Sequence, residues 1–153
     1  MLDRIKNLAD KMLKLNSNKI LKTVLDNKAV QKKIVGFNQY QLYEKGVNSF
    51  GKLLGHYAQR TIFYKRNIAA SLGNDTRTDH ITLKDHGNFY ESQKVNNEKD
   101  GFIISGDTVK EDGNDLNARF PDILGLDTKS KGDLSQEIKP LVISEVRKKL
   151  SGK

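Results

Sequence analysis

Apolar residues recur at helical spacing from the first residues of the chain. Leu2, Ile5, Leu8, Met12 and Leu15 fall on one stripe, widened by Ala9 and Leu13, and predict an amphipathic helix. The polar run "NSN" at 16–18 interrupts it. Ser17 or Asn18 can cap a second helix carrying Ile20, Leu21, Val24 and Leu25. Asp26 and Asn27 can cap a third, with Val30, Ile34 and Phe37 on its apolar face, running to about Glu44 and stopped by Gly46. The stretch "KIVGFNQYQLY" also holds strand formers around Gly36, a competing reading of the same residues.

The pattern then becomes irregular. Residues 46–56 contain Gly46, Gly51 and Gly55 and read as an extended connection with turns. A short helix is expected from about Ala58, and residues 71–80 form a polar loop. "HITL" reads as a short strand or an extended lead-in. Asp85 stands where a helix N-cap would stand, and residues 87–92 have room for a turn or two of helix. "SQKVNN" and "GFIISGD" flank a tight-turn signal at Lys99–Gly101 and predict a β-hairpin. "DLNARF" predicts a short helix stopped by Pro121, and "PDILGLD" an apolar-anchored turn. Leu134, Ile138, Leu141, Val142, Val146 and Leu150 share a C-terminal helical stripe, in which Pro140 either makes a kink or starts a second half. The fold class expected is α+β, with N-terminal helices, a small antiparallel hairpin and a C-terminal helix. A chain of 153 residues is expected to form one domain, with a basic helical region at 1–45, a mixed core at 46–126 and a helical segment at 127–153.

Charge sharpens this picture. Net charge is +8 over the chain. Residues 1–70 hold 14 Lys and Arg against 4 Asp and Glu, whereas the remainder holds 13 against 15. Such asymmetry suits contact with nucleic acid, or head-to-tail packing of identical subunits, or a solvated lysine-rich helical face. No cysteine is present, which removes disulfides and thiolate zinc sites. No apolar run approaches the roughly 18 residues of a membrane span, and no signal-peptide pattern opens the chain, so a cytosolic protein without a membrane partner is expected.

Candidate chemistry is sparse. His56, His80 and His86 lack the spacing of a helical metal site. Asp79, His80, Asp85 and His86 cluster in sequence, yet Asp and Asn are the usual builders of turns. Ser92 with His86 and Asp85 lacks the elbow that presents a nucleophile. The glycines at 46, 51 and 55 match no phosphate-binding pattern. The expectation is therefore a non-enzyme without cofactor or metal. Lys6, Lys11, Lys14, Lys19 and Lys22 are candidates to face DNA, and lysines without a recognition helix favour nonspecific phosphate contact. Phe37, Tyr40, Tyr43, Tyr57, Phe63 and Tyr64 lie among basic residues, where core or interface packing is a more common role than base stacking.

The order of motifs carries further information. A glycine turn at Gly51 or Gly55 is followed by Tyr57, then Thr61 and Lys65. After a loop come Leu83, Asp85, Gly87, Phe89 and Ser92, and then the hairpin. This string resembles the small neck proteins of tailed bacteriophages, of the tail-completion or virion-morphogenesis type that joins head to tail. The resemblance covers roughly residues 46–107. His86 stands where the family tends to have Thr, and Phe89 where it has Leu. The resemblance implies an α+β structural subunit that assembles as a ring, a hexamer or dodecamer, in the virion neck. Its partners would be portal-adaptor and tail proteins, with assembly in the host cytoplasm and DNA passing through the lumen. Residues 71–80 and 107–117 are then expected to be arms that order on contact with neighbours. The alternative function is a small basic protein that contacts nucleic-acid phosphates nonspecifically.

Overall fold

The computed structural model describes residues 6, 7, 10 and 15–151. The helix predicted over residues 1–15 lies mostly outside the described residues, although positions 6, 7 and 10 are helical. The rest is an α+β fold with six helices and one two-stranded antiparallel sheet among the described residues.

Helix α1 spans Ser17–Leu25 and α2 spans Lys28–Tyr40. The cap of α1 is Asn16, one residue before the expected Ser17 or Asn18. Asn16 is extended, and its side chain accepts from the Lys19 amide at 3.1 Å. Asn27 caps α2 in the same way, accepting from the Ala29 amide. The helical reading wins over the strand reading at Gly36, because Val30, Ile34 and Asn38 all face inward at helical spacing. The helix then widens into a π turn at Gln41–Lys45 and stops at Gly46 in the left-handed conformation, φ 62°. A β-carbon at Gly46 would collide with the His80 ring, so this stop demands glycine twice over.

Two polar side chains occupy the buried face of this helix. Asn38 donates to the carbonyls of Ile123 (3.0 Å) and Gly125 (2.9 Å). Gln41 donates to Gly125 and accepts from the Asp127 amide at 2.9 Å. Together they clamp residues 123–127, an irregular segment whose backbone groups would otherwise be buried without partners.

Helix α3 is Gln59–Asn67, followed by a 3₁₀ turn at Ala69–Leu72. Residues 81–84 form no strand, and Leu83 is left-handed. Ile81 donates to Gly55 and Thr82 donates to the Tyr57 hydroxyl, so no ladder can form. Helix α4 is a single turn at Asn88–Glu91. The hairpin follows as expected, with β1 at Lys94–Glu98 and β2 at Gly101–Ser105. Helix α5, Leu116–Arg119, is capped by Asp115. Helix α6 runs unbroken over Thr128–Ser151. Pro140 sits inside it on the exposed side, where the carbonyl it leaves unpaired, that of Gln136, can take solvent.

Two clusters make the core. One joins Val24, Leu25, Val30, Ile34, Ile104, Leu126 and Leu134. The other joins Leu42, Ile81, Leu83, Phe89, Tyr90, Leu116 and Ile123. Leu124 packs against both.

Candidate functional site

The motif residues converge at the second cluster. Helix α3 presents Lys65 inward, with only 7% of its side chain exposed, and Asp75 meets it at 2.7 Å with 2% exposed. Lys65 also donates to the Asp75 carbonyl at 2.9 Å, and its ammonium lies 4.8 Å from the centre of the Tyr57 ring. Thr82 donates to the Asp75 carboxylate at 2.7 Å and shares a 3.0 Å bond with the Tyr57 hydroxyl. Tyr43 donates to the other carboxylate oxygen at 3.2 Å, and Tyr90 donates to the Thr82 carbonyl. Burial by itself raises the Asp75 carboxyl. Hydrogen bonds from Lys65 and Thr82, with the Lys65 charge, outweigh it and hold the group below its ordinary value. Burial and the nearby Asp75 charge raise the phenols of Tyr43 and Tyr90.

Acid should therefore weaken the protein at this point. Asp75 binds a proton less readily folded than unfolded, so its contribution is complete above the ordinary carboxylate value of about 3.9 and fades as pH falls through and below it. Asp127 acts in the same sense: burial raises it, but the Ser130 amide and hydroxyl and the Lys45 charge bring it lower. Urea midpoints should be level in these terms from about pH 6 to 8 and decline below about pH 5. Asp75→Asn should flatten that decline, and an unchanged decline would remove Asp75 from its causes.

Residues 81–92 form a tight corner. Leu83 (φ 57°), Asp85 (φ 42°) and Gly87 (φ 102°) are all left-handed. Leu83 and Phe89 are buried anchors on either side. Asp85 is not the helix cap expected of it. Gly87 precedes α4 with no side-chain cap, while the Asp85 carboxylate pairs with Lys110 at 2.9 Å and its carbonyl accepts from the Asp75 amide. Ser92 donates to the Phe89 carbonyl and accepts from the Asp107 amide, both at 2.8 Å. Its hydroxyl thus bolts the corner to the segment after the hairpin. Thr61 takes no part in the polar network; it lines a neighbouring cleft of about 290 Å³ one helical turn before Lys65.

A larger cleft of about 450 Å³ lies beside the corner, and Leu83, Asp85, Lys110 and Leu116 form a wall common to both. Asp79, His80, Asp85 and His86, neighbours in sequence, do not converge there: only Asp85 and His86 line it. His80 is fixed between the Tyr43 carbonyl and Asp79, Asp79 also takes Arg77, Asp85 takes Lys110, and His86 is exposed. Among the described residues no group of three His, Asp or Glu is placed to hold a metal ion. No described helix is long and apolar enough to cross a membrane.

The two segments expected to be free arms are tied down by their own contacts. Asp75 anchors residues 71–80 from inside, and Arg77 reaches the Tyr43 carbonyl at 3.0 Å and Glu44 at 2.8 Å. Residues 107–117 close on themselves through the Val109–Asp115 bridge and the Leu116 to Thr108 hydrogen bond. Of the candidate DNA-facing residues, Lys6, Lys19 and Lys22 are exposed, Lys22 pairing with Asp26; Lys11 and Lys14 lie outside the described residues.

Sequence reasoning missed Asp75, Thr82, Tyr43 and Tyr90 as members of the network. Asp75 sits in a polar loop with nothing to separate a buried acid from a turn residue, and Thr82 lies in the short run "HITL" with no mark of a polar partner. No protein-family model, curated protein or solved structure matches the chain.

Proposed function

We propose that this chain is a non-enzymatic structural subunit of a tailed-phage neck, a tail-completion component that joins head to tail by assembling as a ring with portal-adaptor and tail proteins. One observation carries the reading. Of the residues of the resemblance, Tyr57, Lys65, Leu83, Gly87, Phe89 and Ser92 gather at the second core cluster, where Tyr57 bonds Thr82, Lys65 bonds Asp75 and Ser92 bonds the Phe89 carbonyl, while Thr61 lies beside them on a cleft wall. A corner of this kind holds a shape, and the Ser92 hydroxyl is spent on the Phe89 carbonyl and the Asp107 amide. Unlike faces suit a head-to-tail ring: Lys19, Lys28 and Lys32 are exposed on α1 and α2, and Asp107, Glu111, Asp112 and Asp115 are exposed on the loop before α5.

Light scattering and negative-stain images, of the protein alone and mixed with portal-adaptor and tail-tube proteins, test this. Rings of constant copy number are expected. A strict monomer that binds neither partner overturns the reading. The alternative, nonspecific phosphate binding, requires useful affinity for duplex DNA near 150 mM salt and a steep loss above it.

A further inference from the structure

Between strand β2 and helix α6 lies an apolar cleft of about 520 Å³. Phe102 and Ile104 line it from the strand, Leu124 and Leu126 from the clamped segment, and Leu134 and Ile138 from α6. Among the described residues β2 pairs with β1 alone, so its other side is an open sheet edge. Natural edges are protected by charge, proline, a bulge or a cover of helix or loop. "GFIIS" has no charge, no proline and no bulge, which leaves the cover. The chain holds a segment suited to that task. Helix α1 starts beside the cleft: the Asn18 side-chain amide donates to the Asp100 carboxylate at 3.2 Å, and Asp100 directly precedes Gly101, the first strand residue on the cleft wall. The 15 residues that lead into α1 are therefore tethered at the cleft mouth, and as a helix they reach about 22 Å. Lys6, Asn7 and Asp10 are helical and exposed, whereas Leu15 is half-buried. At about 100° per residue those three polar residues fall opposite Ile5, Leu8 and Met12, so the apolar stripe is the side turned from water.

We infer that residues 1–15 fold back along this cleft as an amphipathic helix, with Ile5, Leu8 and Met12 against its apolar walls, and cover the open edge of β2. The tether decides between this occupant and a separate chain. A segment joined to the cleft mouth by a short stretch of backbone is present there at an effective concentration of about millimolar, which a second chain at micromolar concentration does not match. The fit is chemical as well as spatial. An apolar stripe of Leu, Ile and Met meets a cleft walled by Phe, Leu and Ile, and the charged side of the helix stays in water. Covered in this way, the hairpin is kept from pairing edge to edge with other sheets. This contact goes beyond the ring reading and is measured on the subunit alone, so its failure would leave the ring reading standing.

The chain has no cysteine, so cysteines placed in the full-length protein report this contact without interference. Ser135 lies on the α6 wall of the cleft and is exposed, so a thiol there leaves the core intact. Ser135→Cys combined in turn with Ile5→Cys, Leu8→Cys and Met12→Cys should give an intrachain disulfide in at least one of the three under mild oxidation, read by non-reducing gel and mass. Ser135→Cys with Lys6→Cys or Asp10→Cys should close at least about tenfold more slowly, because those side chains point away and a disulfide needs its two β-carbons close together. A second probe needs no cross-link. Leu8→Asp should raise the fluorescence of an anilinonaphthalene sulfonate dye severalfold by opening the cleft, while the melt of the two core clusters stays cooperative. Equal closure rates at the apolar and polar positions overturn the inference. So do disulfides that form only between chains, the absence of any disulfide, or a dye signal that Leu8→Asp leaves unchanged.

Discussion

Replacing Lys65 by methionine is expected to destabilise the protein by about 3 to 5 kcal/mol. The cost does not come from losing a favourable bond in isolation. It comes from leaving the Asp75 carboxylate, 2% exposed, with no opposite charge beside it. A buried pair of this kind contributes little over an apolar pair of the same shape, but each half is expensive without the other. The double change Lys65→Met/Asp75→Asn should therefore cost clearly less than the sum of the two single changes, with a coupling above about 1 kcal/mol in a urea-denaturation cycle. Additive losses, or a Lys65→Met cost under about 1 kcal/mol, would mean that water reaches the pair and that the corner is softer than its geometry implies.

Gln41→Leu is expected to cost about 2 to 4 kcal/mol, although it makes a fully buried position more apolar. Gln41 holds both the Gly125 carbonyl and the Asp127 amide. Leucine leaves the Asp127 amide buried without an acceptor. It also takes away one of the two donors to the Gly125 carbonyl, the other being Asn38. The loss should appear in the denaturation midpoint, and amide exchange at Asp127 should accelerate more than exchange in α3. A neutral or stabilising leucine would show that residues 123–127 hold their shape by apolar packing alone.

These two residues also mark where reading from the sequence succeeds and where it stops. Helices α1, α2 and α6 were legible because their apolar residues repeat at 3.6, and the hairpin because Lys99–Gly101 separates two strand-like runs. Gly46 and Gly87 were legible as turn residues because glycine enters the left-handed region freely. Gln41 left a trace that can be followed in retrospect: positions 30, 34, 38 and 41 are one helical face, and polar residues on it must have buried partners. Asp75 left no such trace. Its partners come from Lys65, ten residues before it, and Thr82, seven after, and only the fold brings them within 2.7 Å. Asp85 was misread for a related reason. An acid before a short helix is commonly a cap, but here the left-handed backbone at 85 turns the carboxylate toward Lys110, which lies 25 residues further along the chain. The corner containing Leu83, Phe89 and Ser92 was legible as a turn, and the 290 and 450 Å³ clefts beside it had no signal in the sequence.

The position of Leu124 has a mechanical meaning. Val30 and Ile34 belong to one core cluster and Leu42 to the other, so α2 and its π turn run from one to the other as a continuous rod. Away from that rod, the clusters share Leu124 and the amide clamp of Asn38 and Gln41. A body joined this way is stiff along the helix axis, where backbone hydrogen bonds carry the load. It is more compliant in torsion about that axis, where one side chain and a few amide bonds resist. Twist between the two halves is then opposed chiefly at residues 123–127, where Leu124 and the bonds from Asn38 and Gln41 lie.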